Sequence, residues 1–122
     1  MTDWASSNGD VINSRHAADE VAISTQTVPR LRPDHVLVSD GSNWSTPVVV
    51  GETFFFTDDA GSLTCADRQS GKVLWSRKIA EYNGIENSNA RTSVVVTDDL
   101  VIVGDRAGAN LIAAKRTTGE RV

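Results

Sequence analysis

Short apolar runs separated by turn residues dominate the middle of the chain, and they predict β-strands. Residues 45–50 are mostly β-branched or apolar, and residues 53–57 are largely aromatic. Apolar and hydroxyl side chains alternate over 62–67, which is the period of a strand with one covered face. Residues 72–79 complete a set of four predicted strands. The centres of the first two runs contain only apolar residues, and such runs suit inner strands that neighbours cover on both faces.

The same pattern occurs a second time further along the chain. Residues 46–50 align with 92–96 at an offset of 46 residues, and residues 65–74 align with 113–122 at an offset of 48. The two additional residues of the second copy fall in a turn, where insertions are tolerated. A β-rich repeat of this length is typical of a propeller blade. We therefore predict an all-β fold, a partial β-propeller of about two four-stranded blades with an irregular N-terminal arm.

The repeat divides the chain into four predicted parts. Residues 1–44 form the N-terminal arm, in which 34–39 is a possible closing strand. Residues 45–79 form the first blade, residues 80–90 a polar loop between the blades, and residues 91–122 the second blade. Polar loops of this length are more often functional or mobile than simple connectors. The second copy stops one position before the tryptophan that ends the first, so we expect a truncated blade and a piece of a larger ring.

Composition excludes several classes of function. The chain of 122 residues has a net charge of −4 and no basic stripe, which argues against a nucleic-acid partner. No apolar run has the length that a membrane-spanning helix needs. The start of the chain lacks the basic residues and apolar core of a signal peptide. The chain is therefore either cytoplasmic, or its export signal has been removed or was never included.

Residues that bind metals or act as nucleophiles are few. Cys65 is the only cysteine, which excludes an intramolecular disulfide and a cysteine-based zinc or iron–sulfur site. His16 and His35 are isolated in the sequence, so a metal role for either is disfavoured. Acidic residues at the predicted hairpin turns fit no calcium-loop spacing, and we expect them to cap their own backbone. These acidic residues are Asp58, Asp59, Asp98, Asp99 and Asp105.

The segment from Cys65 to Trp75 carries the pattern Ala/Cys-x-Asp-x-x-x-Gly-Lys-x-x-Trp. This pattern resembles the tryptophan-docking repeat of the quinoprotein dehydrogenases, which bind pyrroloquinoline quinone (PQQ). In that family the tryptophan of one blade stacks on the glycine peptide of the next blade. The resemblance assigns structural docking roles to Trp75 and Gly71, with Gly119 as the glycine that receives Trp75. A flat indole against a peptide without a side chain allows close contact and large burial.

Further stretches resemble the polyvinyl-alcohol dehydrogenase branch of these proteins. They include Trp75–Gly84, the triplet 91–93, and the segment Val28–Leu31 in the arm. The resemblance implies an eight-bladed propeller that holds PQQ and a calcium ion near its axis and oxidises alcohols to carbonyls. It also implies a periplasmic or secreted location and, in the polymer-oxidising branch, a haem domain that accepts the electrons. This chain has no Cys-x-x-Cys-His motif, so it carries no c-type haem itself.

Residues at the start of each inner strand are the candidates for cofactor contact. In the second blade these are Arg91, Thr92 and Ser93, because a guanidinium and hydroxyl groups match the carboxylates of PQQ. The resemblance aligns Arg91 with an arginine that contacts the quinone. The alternative is an exposed loop arginine that pairs with a neighbouring acid. In the first blade Trp44 occupies the matching place, where it either packs or lines a substrate entrance.

Three functions are compatible with these residues. The first is part of a PQQ-dependent alcohol dehydrogenase of the polyvinyl-alcohol type, inactive as an isolated chain, with catalytic residues and calcium ligands outside these 122 residues. The second is a non-enzymatic propeller scaffold that binds protein partners, as in the outer-membrane assembly lipoprotein. The third is self-association of four copies into one ring. Expected partners are accordingly the remaining propeller blades or further copies of the chain, because a partial propeller exposes apolar blade faces.

Overall fold

The computed structural model describes residues 3–10 and 12–122, and within them the chain folds into two antiparallel sheets. The first sheet has four strands in chain order, β1 (Val48–Val50), β2 (Thr53–Thr57), β3 (Ser62–Asp67) and β4 (Val73–Lys78). The second has β5 (Val95–Val96), β6 (Leu100–Gly104) and β7 (Leu111–Lys115). A 3₁₀ turn (Val28–Arg30) and a short helix, α1 (Ile79–Asn83), interrupt the loops. No helix in these ranges is long and apolar enough to cross a membrane.

Equivalent turns follow the third strand of each sheet. In the first turn Asp67 Oδ1 accepts a hydrogen bond from the Ser70 amide (2.7 Å), and the Gly71 amide donates to the Asp67 carbonyl (2.9 Å). In the second turn the Gly119 amide donates to the Lys115 carbonyl over 2.8 Å. Both glycines have a φ of +68°, where an L side chain would strain the backbone. The predicted positive φ of Gly71 is therefore confirmed.

One hydrophobic core joins the two sheets. Phe55 and Leu63 of the first sheet are fully buried, and Trp75 is 9% exposed. The second sheet contributes alternate residues of β6, Val101 and Val103, which are also buried. Because side chains alternate between the faces of a strand, each sheet presents one apolar face to the other. The predicted all-β fold is confirmed.

Within its described residues the N-terminal arm is irregular, and residues 34–39 form no strand. No other strand of the described residues lies alongside this segment to form a hydrogen-bonded ladder, so the possible closing strand stays a prediction. The arm instead pairs with the first sheet near its own start. Trp4 donates its amide to the Val49 carbonyl (2.7 Å) and accepts from the Val49 amide (2.9 Å). The inner edge of β1 is therefore occupied at this point by the arm.

Part of the predicted polar loop 80–90 is helical, which corrects that prediction. Helix α1 forms because Ile79 and Tyr82, three positions apart, are both buried against the core. The Glu81 carboxylate accepts the amide at the start of the helix. Gly84, with a φ of +71°, ends it in a left-handed conformation. This helix fixes the connection between the two sheets instead of leaving it free.

Candidate functional site

The three residues predicted to contact a cofactor lie together just before β5, but their side chains differ in availability. Thr92 Oγ1 donates to the Gly104 carbonyl (3.1 Å) and accepts from the Gly104 amide (3.3 Å). Ser93 Oγ accepts a hydrogen bond from the Thr46 amide over 2.8 Å. Both hydroxyl groups therefore hold backbone segments together. Arg91 is also exposed, and its guanidinium makes a contact of a different kind.

The Arg91 guanidinium lies over the face of Trp44. Its Cζ atom is 4.5 Å from the centre of the indole ring, which is a cation–π contact. Trp44 is 59% exposed, so the pair is open to solvent. Contacts of this kind at exposed sites contribute about 0.5–1 kcal/mol. Among residues 3–10 and 12–122 no acid forms an ion pair with Arg91, and the contact that its guanidinium makes there is with the aromatic face of Trp44.

The structure places Trp75 against the second blade's glycine turn. A Cβ atom added to Gly119 would lie 2.7 Å from Trp75 Cε3, so the indole lies directly on the glycine peptide. Trp75 Nε1 donates to the Arg116 carbonyl over 3.0 Å. The Arg116 side chain also contacts the first sheet, because its Nη2 donates to the Val50 carbonyl over 2.8 Å. The joint between the sheets thus combines an aromatic contact with hydrogen bonds in both directions.

Tyr82 is a second residue of this joint, and sequence reasoning did not identify it. Its hydroxyl donates to the Gly119 carbonyl over 2.6 Å, and Arg121 Nη1 donates to the Tyr82 carbonyl over 2.8 Å. Burial raises the pKa of the Tyr82 phenol to about 12, and the nearby Arg77 opposes the increase. The phenol is therefore a hydrogen-bond donor at ordinary pH. Its spacing of three from Ile79 was the available signal, since it marks one face of a helix.

Two of the acidic turn residues cap their own loops, whereas Asp59 Oδ1 instead accepts the Ser42 amide of the arm over 2.6 Å, so the prediction is wrong for Asp59. Asp58 Oδ1 accepts the Ser62 amide (2.8 Å), and Asp105 Oδ1 accepts the amides of Gly108 (2.9 Å) and Asn110 (3.0 Å). The prediction that these two residues cap their own backbone is confirmed. Within the described part of the chain, no three His, Cys, Asp or Glu side chains converge as metal ligands do. The residues present therefore do not by themselves fit a calcium ion.

Acid is expected to destabilise the turn around Asp105. Burial acts to raise its pKa, but hydrogen bonds from Asn110, Asn83 and Gly108 outweigh it and hold the pKa at about 2, below the usual 3.8. A depressed pKa stabilises the fold at higher pH, and this contribution is lost as the pH falls through about 4 to 2. Thermal melts over this range should show the difference between wild type and Asp105→Asn shrinking. An equal difference in melting temperature at every pH would contradict this role of Asp105. Asp98→Asn is the control, because Asp98 is exposed.

Cys65 is expected to be unreactive in the folded protein. The thiol is 1% exposed, and burial raises its pKa to about 11, slightly offset by Arg116. A pKa this far above the usual 9.0 lowers the fraction of reactive thiolate about hundredfold. Burial also limits the access of a reagent to the sulfur. Labelling with a thiol reagent at pH 8 should therefore be at least about a hundredfold slower in buffer than in urea. Similar rates in the two solutions would show that the core opens readily.

Several solved structures resemble this chain over most of its length. The quinohemoprotein alcohol dehydrogenase from Comamonas testosteroni matches with a TM-score of 0.81 and 24% identity, over 99% of this chain and 19% of that one. The europium-containing methanol dehydrogenase matches with a TM-score of 0.59 and 20% identity, over 99% and 31%. BamB from Moraxella catarrhalis matches with a TM-score of 0.58 and 17% identity, over 69% and 24%. The predicted partial propeller is thus confirmed.

Sequence comparisons identify the repeat family. The chain spans less than a third of the length of the three solved structures named above. No curated protein matches the sequence. A family model of PQQ repeats, described as outer membrane protein assembly factor BamB, matches residues 39–122, which is more than half of the chain. The chain therefore belongs to the PQQ-repeat family whose model bears the description outer membrane protein assembly factor BamB.

Proposed function

We propose that the chain is part of a PQQ-dependent alcohol dehydrogenase of the polyvinyl-alcohol type, with a periplasmic or secreted location. The observation that carries the proposal is the exposed Arg91 guanidinium over Trp44. These residues stand before β5 and β1, the first strands of the two sheets, and the Thr46–Ser93 hydrogen bond holds the two strand starts together. A cationic and aromatic surface thus lies where neighbouring blades meet.

Arg91 is the residue of this chain that fits the cofactor. PQQ is planar and carries carboxylates, and a guanidinium offers paired donors to such a group. The indole of Trp44 orients the guanidinium and leaves its outer N–H groups free to donate. When bound, PQQ supplies the oxidising quinone for alcohol oxidation. Thr92 and Ser93 support the site by fixing the backbone that follows Arg91, since Thr92 Oγ1 bonds to Gly104 and Ser93 Oγ accepts the Thr46 amide.

The N-terminal arm is accommodated by two of the dehydrogenase structures, each of which covers 99% of the chain. The BamB structure covers 69% and the quinohemoprotein alcohol dehydrogenase ADHIIG from Pseudomonas putida HK5 covers 62%, so coverage alone favours neither function. Alcohol oxidation would need further blades, because the described residues assemble no cluster of metal ligands. We accordingly expect no turnover from the chain alone with PQQ, calcium and an alcohol in a dye-linked assay.

PQQ binding by equilibrium dialysis tests the role of Arg91. A single open contact should give a Kd on the order of 1 mM. Arg91→Ala should weaken binding about tenfold or more, because a hydrogen bond to a charged group is worth about 1.5–3 kcal/mol. Arg106→Ala is the matched control, since it removes an exposed arginine from the same sheet. Equal binding by wild type and Arg91→Ala would refute the assignment, and turnover by the chain alone would refute the expected inactivity.

A non-enzymatic scaffold is the second candidate function. The observation in its favour is the family match, because the model that covers residues 39–122 is described as an outer membrane assembly factor. Exposed apolar side chains on the second sheet offer a surface for a protein partner, among them Leu111 at 80% exposure. Absence of PQQ binding in the same dialysis would favour this candidate. Light scattering separates it from self-association, which requires a sharp tetramer.

A further inference from the structure

His35 of the N-terminal arm lies on the glycine turn of the first blade. A Cβ atom added to Gly71 would stand 2.8 Å from His35 Cγ and 2.9 Å from its Cβ, so nothing larger than glycine fits beneath the ring. The imidazole Nε2 is 2.7 Å from the Gln69 carbonyl oxygen, to which it donates. The Asp34 carboxylate lies 3.5 Å from the same nitrogen. The arm is thus attached to the turn by a ring contact and a hydrogen bond.

The same arrangement occurs where the first sheet meets the second. There the Trp75 ring covers Gly119, and its ring N–H donates to a carbonyl three residues before that glycine. In the arm, the His35 ring covers Gly71 and its N–H donates to a carbonyl two residues before it. Gly71 and Gly119 share a φ of +68° and equivalent places in the repeat. Two different aromatic rings therefore occupy corresponding positions on successive blades.

We infer that His35 is a docking residue that holds the N-terminal arm on the first blade, in the position that Trp75 takes on the second. The arm thus packs against the first blade in the same way as the first blade packs against the second. The His35 side chain is 30% exposed, whereas Trp75 is buried. Because the smaller ring buries less surface, the arm is the weaker of the two joints and releases first.

The docked arm covers the face of the first sheet that points away from the second. Val38 and Asp40 line a cavity of about 240 Å³ together with Phe56, which is buried. Asp40 Oδ2 accepts from Lys78 Nζ over 3.0 Å, so a second attachment follows His35 along the chain. Release of the arm would expose Phe56, whose ring stacks on that of Phe54. The arm therefore protects an apolar face that would otherwise associate with other molecules.

Removal of the His35 ring tests this inference. His35→Ala should increase trypsin cleavage after Arg30, and binding of a hydrophobic dye, about tenfold, which corresponds to about 1.4 kcal/mol for the docked state. His35→Trp should restore slow cleavage, because an indole can make the same contact. His16→Ala is the matched control, since His16 is exposed in the same arm. Wild-type rates of cleavage and dye binding in His35→Ala would overturn the inference.

A measurement on the unmodified chain keeps the test decisive if His35→Ala fails to fold. With only two histidines, the ring protons of His35 and His16 are easily distinguished by NMR. We expect nuclear Overhauser effects between the His35 ring and the Gly71 α-protons, and none from His16. A spectrum that shows a folded sheet but no Overhauser effect between the His35 ring and Gly71 would refute the docked position.

Discussion

Replacement of Trp75 by alanine is expected to lower the free energy of unfolding by about 3–5 kcal/mol, as for other large aromatic residues in cores. The indole packs on the Gly119 turn, lies 6.0 Å from the Phe55 ring between centroids, and donates to the Arg116 carbonyl. Alanine removes all three contacts and leaves a cavity between the sheets. Since domains of this size are marginally stable, a loss of this magnitude should unfold much of the protein. Urea titration followed by circular dichroism measures it.

Two further tryptophan variants show which contact matters. Trp44→Ala is the control, because Trp44 is 59% exposed and its loss removes only the contact with Arg91, at a cost of about 0.5–1 kcal/mol. Trp75→Phe keeps a ring on the glycine but leaves the Arg116 carbonyl without its donor, at a further cost of about 1 kcal/mol. A Trp75→Ala variant no less stable than Trp44→Ala would mean that the indole does not join the two sheets.

Addition of a single methyl group at Gly119 is expected to be nearly as damaging. The new Cβ would stand 2.7 Å from Trp75 Cε3 and 3.0 Å from Arg77 Cγ, and the φ of +68° is unfavourable for alanine. Backbone strain of about 1–2 kcal/mol adds to overpacking of about 1–3 kcal/mol. The free energy of unfolding should therefore fall by about 3 kcal/mol, measured by the same urea titration.

Gly84→Ala provides a matched control for the backbone term. Gly84 has a similar φ of +71°, but nothing lies within 4 Å of an added Cβ. We expect the free energy of unfolding of this variant to fall only by the backbone strain, about 1–2 kcal/mol. In the background of Trp75→Ala, the Gly119→Ala change should cost little more than the Gly84→Ala change, because the clashing ring is gone. Additive losses in the double variant would place the damage elsewhere than at the indole.

Strand positions follow closely from the side-chain pattern where local chemistry decides them. β2 and β3 have the predicted bounds, since alternation and turn residues define both ends of each strand. β1 starts at Val48 instead of residue 45. Pro47 has no amide to donate, and the Thr46 amide is used by Ser93. The pattern predicted that a strand would form here, whereas a contact 47 residues away shortens it.

The remaining features depend on contacts between residues that are distant in sequence. Helix α1 is held by Tyr82, whose hydroxyl reaches the Gly119 carbonyl 37 positions later. His35 has no neighbouring residue that marks it as a docking ring, because its partner is the Gly71 turn. At the candidate site, the triplet 91–93 identified the place. Its pattern did not show that both hydroxyl groups bond to backbone segments, since their partners Gly104 and Thr46 are distant in sequence.

The division of the docking contact between repeats affects how such chains change in length. The indole lies in one repeat and the glycine that receives it lies in the next, so each unit carries one half of two contacts. Tandem duplication of a whole repeat copies both halves together, and the new copy can join its neighbours on either side without further substitutions. Gain or loss of a partial repeat separates the halves and leaves an unmatched ring or turn. Evolution of this architecture is therefore expected to proceed in steps of whole units, while the strands between the two positions diverge freely.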